Sequence, residues 1–94
     1  MQSLLAVTLK IETISDGDVV ILRLIGRVES EHVGELRDHI RNHQVNVILD
    51  LDEVRLVDVS VVRFLVTCEG ERVELLNCPP YIREWMGRER SGGG

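Results

Sequence analysis

The fifteen residues from Asn46 to Ser60, NVILDLDEVRLVDVS, constrain this chain more than any other stretch. An apolar run, Val47-Ile48-Leu49, passes into carboxylates at Asp50, Asp52 and Glu53, and the segment ends in Asp58-Val59-Ser60 in front of a second apolar run. A short continuous apolar run suits a strand buried on both faces. An Asp or Ser ahead of an apolar helical run suits a helix start, because its side-chain oxygen can accept a backbone N–H that the first turn leaves unpaired. The segment therefore predicts an interior strand, an acidic turn and a capped helix.

The flanking residues supply neighbours for that strand. Leu5 to Ile14 alternates imperfectly, with Leu9 and Ile11 against Lys10 and Glu12, as an edge strand does. Ser15-Asp16-Gly17-Asp18 predicts a tight turn, since glycine provides the positive φ of a hairpin reversal. Val19 to Val28 is apolar apart from Arg23, Gly26 and Arg27 and predicts an interior strand. Glu29-Ser30-Glu31 then offers a capping oxygen and two carboxylates at the favourable end of a helix dipole. Val33, Leu36 and Ile40 form one stripe of that helix, which Asn42 to Gln44 ends before the strand from Val45 to Leu51. Strand, helix and parallel strand make a right-handed crossover.

Beyond Asp58, the β-branched residues of Val61-Val62-Arg63-Phe64-Leu65-Val66 favour a strand, whereas the spacing of Val61, Leu65 and Cys68 favours a helix, and we assign a helix ending at Gly70. Val73 to Leu76 is a short strand stopped by Pro79-Pro80. Tyr81, Ile82, Trp85 and Met86 line one face of a last helix, with Pro80 in its first turn. The expected architecture is an α/β domain over residues 1–90, a mixed four-stranded sheet with about three helices, followed by a flexible glycine tail at 91–94.

Size and charge narrow the function. At 94 residues the chain suits one small domain, and its apolar content is aliphatic, with 3% aromatic residues. A net charge of -5 opposes binding to nucleic acid or anionic membranes. The N-terminus has no basic segment followed by a long apolar run, so a soluble, cytoplasmic protein is expected. Cys68 and Cys78 have neither CxxC spacing nor neighbouring ligands and read as free buried thiols.

The central segment resembles the STAS domain family of sulphate transporters and anti-sigma factor antagonists, in which an apolar-Leu-Asp-Leu strand precedes an Asp-Ser-Ser/Ala-Gly turn whose first Ser is phosphorylated by a partner kinase. Gly26-Arg27-Val28-Glu29 is similar to the family's Gly-x-Leu-Asp, Gly70-Glu71-Arg72-Val73 to its Gly-Gly turn, and Cys78-Pro79-Pro80 to its Ser-Pro. The resemblance implies a STAS-like fold and a non-catalytic signalling regulator that docks an anti-sigma factor or serine kinase. Here Val59 occupies the position of the phosphorylated Ser, and Val61 that of the following Gly.

The implied docking face is Glu29, Asp58, Val59, Ser60, Val61 and Arg63. Ser60 is a candidate phosphosite or a plain helix cap. Asp58 is either a cap or an anionic contact for a basic partner. A second reading is a self-associating scaffold subunit of a stressosome-type assembly, drawing on the Val59-Val61-Val62 cluster as a partly exposed surface. His39 and His43 are spaced to chelate a metal, but the ring positions suit shielding of a core edge, and no metal or other cofactor is expected. Asp50 and Asp52 share a side of their strand and read as solvated charges. No catalytic triad, phosphate-cradling loop or dinucleotide fingerprint is present, so an enzyme is not expected.

Overall fold

The computed structural model describes residues 8–43, 46–71 and 73–92. Four strands, β1 (Leu9–Asp16), β2 (Val19–Val28), β3 (Asn46–Val57) and β4 (Val73–Leu76), form one sheet in the order β1-β2-β3-β4. The β1–β2 pair is antiparallel, and the β2–β3 and β3–β4 pairs are parallel. The helices are α1 (Val33–Asn42), preceded by a 3-10 turn at Ser30–His32, α2 (Val59–Glu69) and α3 (Pro80–Gly92). None of the helices described is long and apolar enough to cross a membrane.

The hairpin between β1 and β2 closes through Gly17 and Asp18, with Gly17 at φ 63° and Asp16 paired with Val19. The first strand is thus two residues longer at its turn than the alternation implied, and its expected start at Leu5 to Val7 lies outside the described residues. A larger departure is β3. The carboxylates at Asp52 and Glu53 do not form a turn. They sit within a twelve-residue strand that absorbs them with two shifts of register against β2, between Arg23 and Ile25 and between Gly26 and Arg27. Such bulges bend and twist a strand. Gly26 at the second shift has φ 106°, and a Cβ there would lie 2.4 Å from the Thr8 carbonyl oxygen, which accepts the Arg27 N–H at 2.8 Å.

All three helices lie on one side of the sheet. Val20, Leu22, Leu24 and Val28 of β2, Val47, Leu49, Leu51, Val54 and Val57 of β3 and Val73 of β4 are buried beneath Leu36, Val61, Val62, Phe64, Leu65, Cys68, Ile82 and Met86. The Arg37 guanidinium lies 5.7 Å from the Phe64 ring centroid and links α1 to α2. Among the described residues, the other sheet face carries none that is buried. Burial of β3 on both faces, which its apolar run suggested, is therefore corrected to burial on one. Tyr81, assigned to the core face of the last helix, is 46% exposed.

The last helix also continues through Ser91 and Gly92, with the Ser91 hydroxyl donating to the Gly87 carbonyl, which corrects the expected tail at those two residues; 93–94 lie outside the described residues. Both cysteines are free. Burial, then Glu71, pushes the Cys68 thiol up to about 12, and burial raises Cys78, which is only half-buried.

The C-terminus of α2 is fastened to α3 by Glu69, which accepts from Arg83 at 2.6 Å and from Arg90 at 2.7 Å. The Arg83 hydrogen bond, aided by the charges of both arginines, holds the Glu69 carboxyl below its ordinary value against the opposing effect of burial. Stability from this pairing is complete above the ordinary carboxylate pKa of about 4.3 and is lost as pH falls through the lowered value. Glu69→Gln should therefore lower stability at pH 7 by up to about 1 kcal/mol, with the difference from wild type shrinking as the pH drops below about 4, as read by urea unfolding. Gly26→Ala should cost more, about 1–3 kcal/mol, because neither the positive φ nor the Thr8 carbonyl leaves room for a methyl group.

Candidate partner-docking site

The site forms where β2 and β3 end side by side. Parallel strands joined by a crossover send their chains into helices at the same sheet edge, so the start of the 3-10 turn and the start of α2 become neighbours. Each start exposes N–H groups without intrahelical partners. Asp58 serves both. Its Oδ1 accepts the Val61 N–H at 3.1 Å, as an N-cap does, and its Oδ2 accepts the Ser30 N–H at 2.7 Å from a residue 28 positions away. The Asp58 carbonyl also accepts the Val62 N–H at 3.1 Å.

A histidine completes the junction. The Glu29 N–H donates to His32 Nδ1 at 2.9 Å, while the His32 N–H donates to the Glu29 carbonyl at 2.8 Å. The N-cap of this turn is thus Glu29, with His32 as its reciprocal partner, where the sequence suggested Ser30. With Nδ1 as acceptor, the proton of the neutral ring sits on Nε2, 3.4 Å from the Thr8 hydroxyl oxygen. Glu29, Glu31 and His32 bring their ligand atoms within 4.8 Å of one another. The ring's free lone pair is already used on the backbone, which leaves this cluster one nitrogen short as a metal site. His39 lies 4.0 Å from Glu35 on the same helix.

The predicted docking residues separate on this frame. Asp58 is half-buried, and both its oxygens are bound to backbone, so the cap reading accounts for it. Val59 and Ser60 occupy the first two positions of α2 and are exposed. Val61 is 1% exposed and Val62 is fully buried; both belong to the core, which corrects Val61 as a docking side chain and the Val59-Val61-Val62 cluster as a surface. Helix geometry explains this, because residues two apart on a first turn point in different directions. Arg63 is exposed and pairs with Glu89 of α3 at 2.9 Å. Glu29 is half-buried beside Ser30.

Two surface residues near this edge escaped the sequence pattern. Leu56 is 50% exposed because the bulges in β3 shift its alternation, and Tyr81 donates its hydroxyl hydrogen to the Arg55 carbonyl at 3.2 Å. A proline pair followed by an aromatic at a helix start was the available signal for Tyr81. Asp50 is likewise more than a solvated charge, since its Oδ1 accepts the Asp52 N–H and the Asn77 side-chain amide.

The STAS domain pattern matches residues 10–84, and the chain belongs to that family. Its fold is similar to that of the anti-sigma factor antagonist SpoIIAA in its unphosphorylated form, at 21% identity over 86% of this chain and 83% of that one, with a TM-score of 0.62. The phosphorylated form of SpoIIAA, a cell fate determinant of Bacillus, gives a TM-score of 0.63 at 22% identity, covering 90% of this chain and 84% of that one. An anti-sigma factor antagonist STAS domain from Rhodobacter sphaeroides gives 0.51 at 22% identity, covering 73% and 84%. No curated protein matches the chain in sequence.

The double cap makes Asp58 a stability residue first. Asp58→Ala should lose about 1–3 kcal/mol in urea unfolding, since it strands two N–H groups, and Asp58→Asn should lose part of that, because an amide keeps only one acceptor oxygen.

Proposed function

We propose that this chain is a non-catalytic regulator that docks an anti-sigma factor or a serine kinase on the surface around the N-terminus of α2. The observation that carries this reading is the pairing of a rigid, doubly capped junction with two exposed residues, Val59 and Ser60, on a fold shared with anti-sigma factor antagonists. Val59 occupies the position of the family's phosphorylated serine. Its 37% exposed side chain offers methyl groups to a partner and has no hydroxyl to modify. The surface is therefore held permanently in the unmodified state at that residue.

Ser60 provides the remaining hydroxyl. It is exposed in the first turn of α2, where a phosphate would meet N–H groups on the helix side while placing about two negative charges on the docking surface. Glu29 and Arg63 flank this surface and set its charge pattern. Such rim charges act chiefly on association rate and partner choice.

Val59→Glu and Ser60→Glu should each lower capture of an anti-sigma factor or kinase from native extract by at least about tenfold, with unfolding curves unchanged from wild type. Asp58 is unsuited to this test because its loss destabilises the junction itself. Equal capture by wild type and both folded variants would remove the α2 N-terminus as the docking surface. With ATP present, phosphate should enter wild type at Ser60 and be absent from Ser60→Ala.

A further inference from the structure

The ring of His32 is built into the backbone hydrogen bonding of the fold, and only its neutral form fits there. The Glu29 N–H donates to Nδ1 at 2.9 Å. A backbone N–H can only donate, so Nδ1 must present a lone pair while the ring proton sits on Nε2. Protonation places a hydrogen on Nδ1 and sets two donors against each other. The side chain is 14% exposed, so water has little access to replace the lost acceptor. Histidine is the side chain whose charge ordinarily changes between about pH 5 and pH 8.

The protonated ring has partners of its own within reach. Glu31 Oε2 lies 3.8 Å from Nε2, and the Glu29 carboxylate, which accepts the His32 backbone N–H, completes a cluster whose ligand atoms lie within 4.8 Å of one another. Against these carboxylates stands the N-terminus of α1, for which His32 is the N-cap and whose dipole opposes a cation. The charged groups of the neighbouring elements are engaged elsewhere. Glu35 of α1 lies 4.0 Å from His39, Arg63 of α2 pairs with Glu89 of α3, and Asp58 has both oxygens on backbone N–H groups. Lys10 of β1 pairs with Glu12. Arg27 of β2 precedes the buried Val28 and so points to the opposite sheet face, its backbone N–H held by the Thr8 carbonyl. Glu29 and Glu31 are therefore the charges set against the ring.

We propose that His32 is a pH-sensitive latch on the turn that precedes α1. Neutral, its Nδ1 holds the Glu29 N–H and keeps the 3-10 turn closed. Protonated, it releases that N–H and turns to the Glu29 and Glu31 carboxylates. Ser30 keeps its bond to Asp58 Oδ2, so the turn stays tethered to the start of α2 at one point and opens at the other. The bond is present at the upper end of the pH range and is lost as the pH falls. The latch is a property of the fold and does not depend on the docking reading, although Glu29, the residue it frees, flanks that surface.

An NMR titration of the full chain between about pH 8 and about pH 5 reads the bond directly. At the upper end, scalar coupling across the hydrogen bond should link the Glu29 amide nitrogen to His32 Nδ1, and the ring nitrogen shifts should report the Nε2–H form. As the pH falls, the coupling should vanish, and the Glu29 amide should move with the same midpoint as the His32 ring. Protection of the Glu29 amide against hydrogen exchange should fall about three- to tenfold, while that of Val61, held by Asp58, should stay. His32→Asn keeps an acceptor oxygen at the position of Nδ1 and takes up no proton, so its Glu29 amide should not move over this range. The ring signal missing from that variant also separates His32 from His39 and His43. A Glu29 amide that stays in place while the His32 ring titrates, or that moves equally in His32→Asn, overturns the proposal. So does an Nδ1–H ring at the upper end, or a ring still neutral at the lowest pH.

Discussion

The fold of this chain turns on one carboxylate. Asp58 is the last residue before α2, and its two oxygens close two helix starts that belong to different crossovers. The arrangement requires a group with two acceptor oxygens at the end of a short side chain. Serine or threonine would satisfy one N–H, asparagine would present a donor to the other, and glutamate would reach too far from the strand end. The parallel pairing of β2 with β3 makes this possible, because it brings both strand ends to one edge. The first turn of α2, which carries Val59 and Ser60, is therefore fixed from both flanks.

The elements of the fold were largely readable in the sequence because they follow from local pattern. β2, β4 and the starts of the last two helices fall where apolar period, capping residues and prolines put them. The misread features share a different origin. The path of β3 through Asp52 and Glu53 depends on bulges that form only against β2, and carboxylates within a strand look like a turn when the partner strand is unseen. Leu56 became a surface residue for the same reason.

The site was readable in part, with the same division. Asp58 was identifiable as a cap from its position, but its second bond reaches Ser30, 28 residues earlier, and no local pattern encodes that contact. His32 as the partner of Glu29 is similarly hidden, since a histidine four residues after a strand end carries no capping signature of its own. Val61 was grouped with Val59 and Ser60 because sequence neighbours were treated as surface neighbours. On a helix, the third position of a first turn faces the sheet.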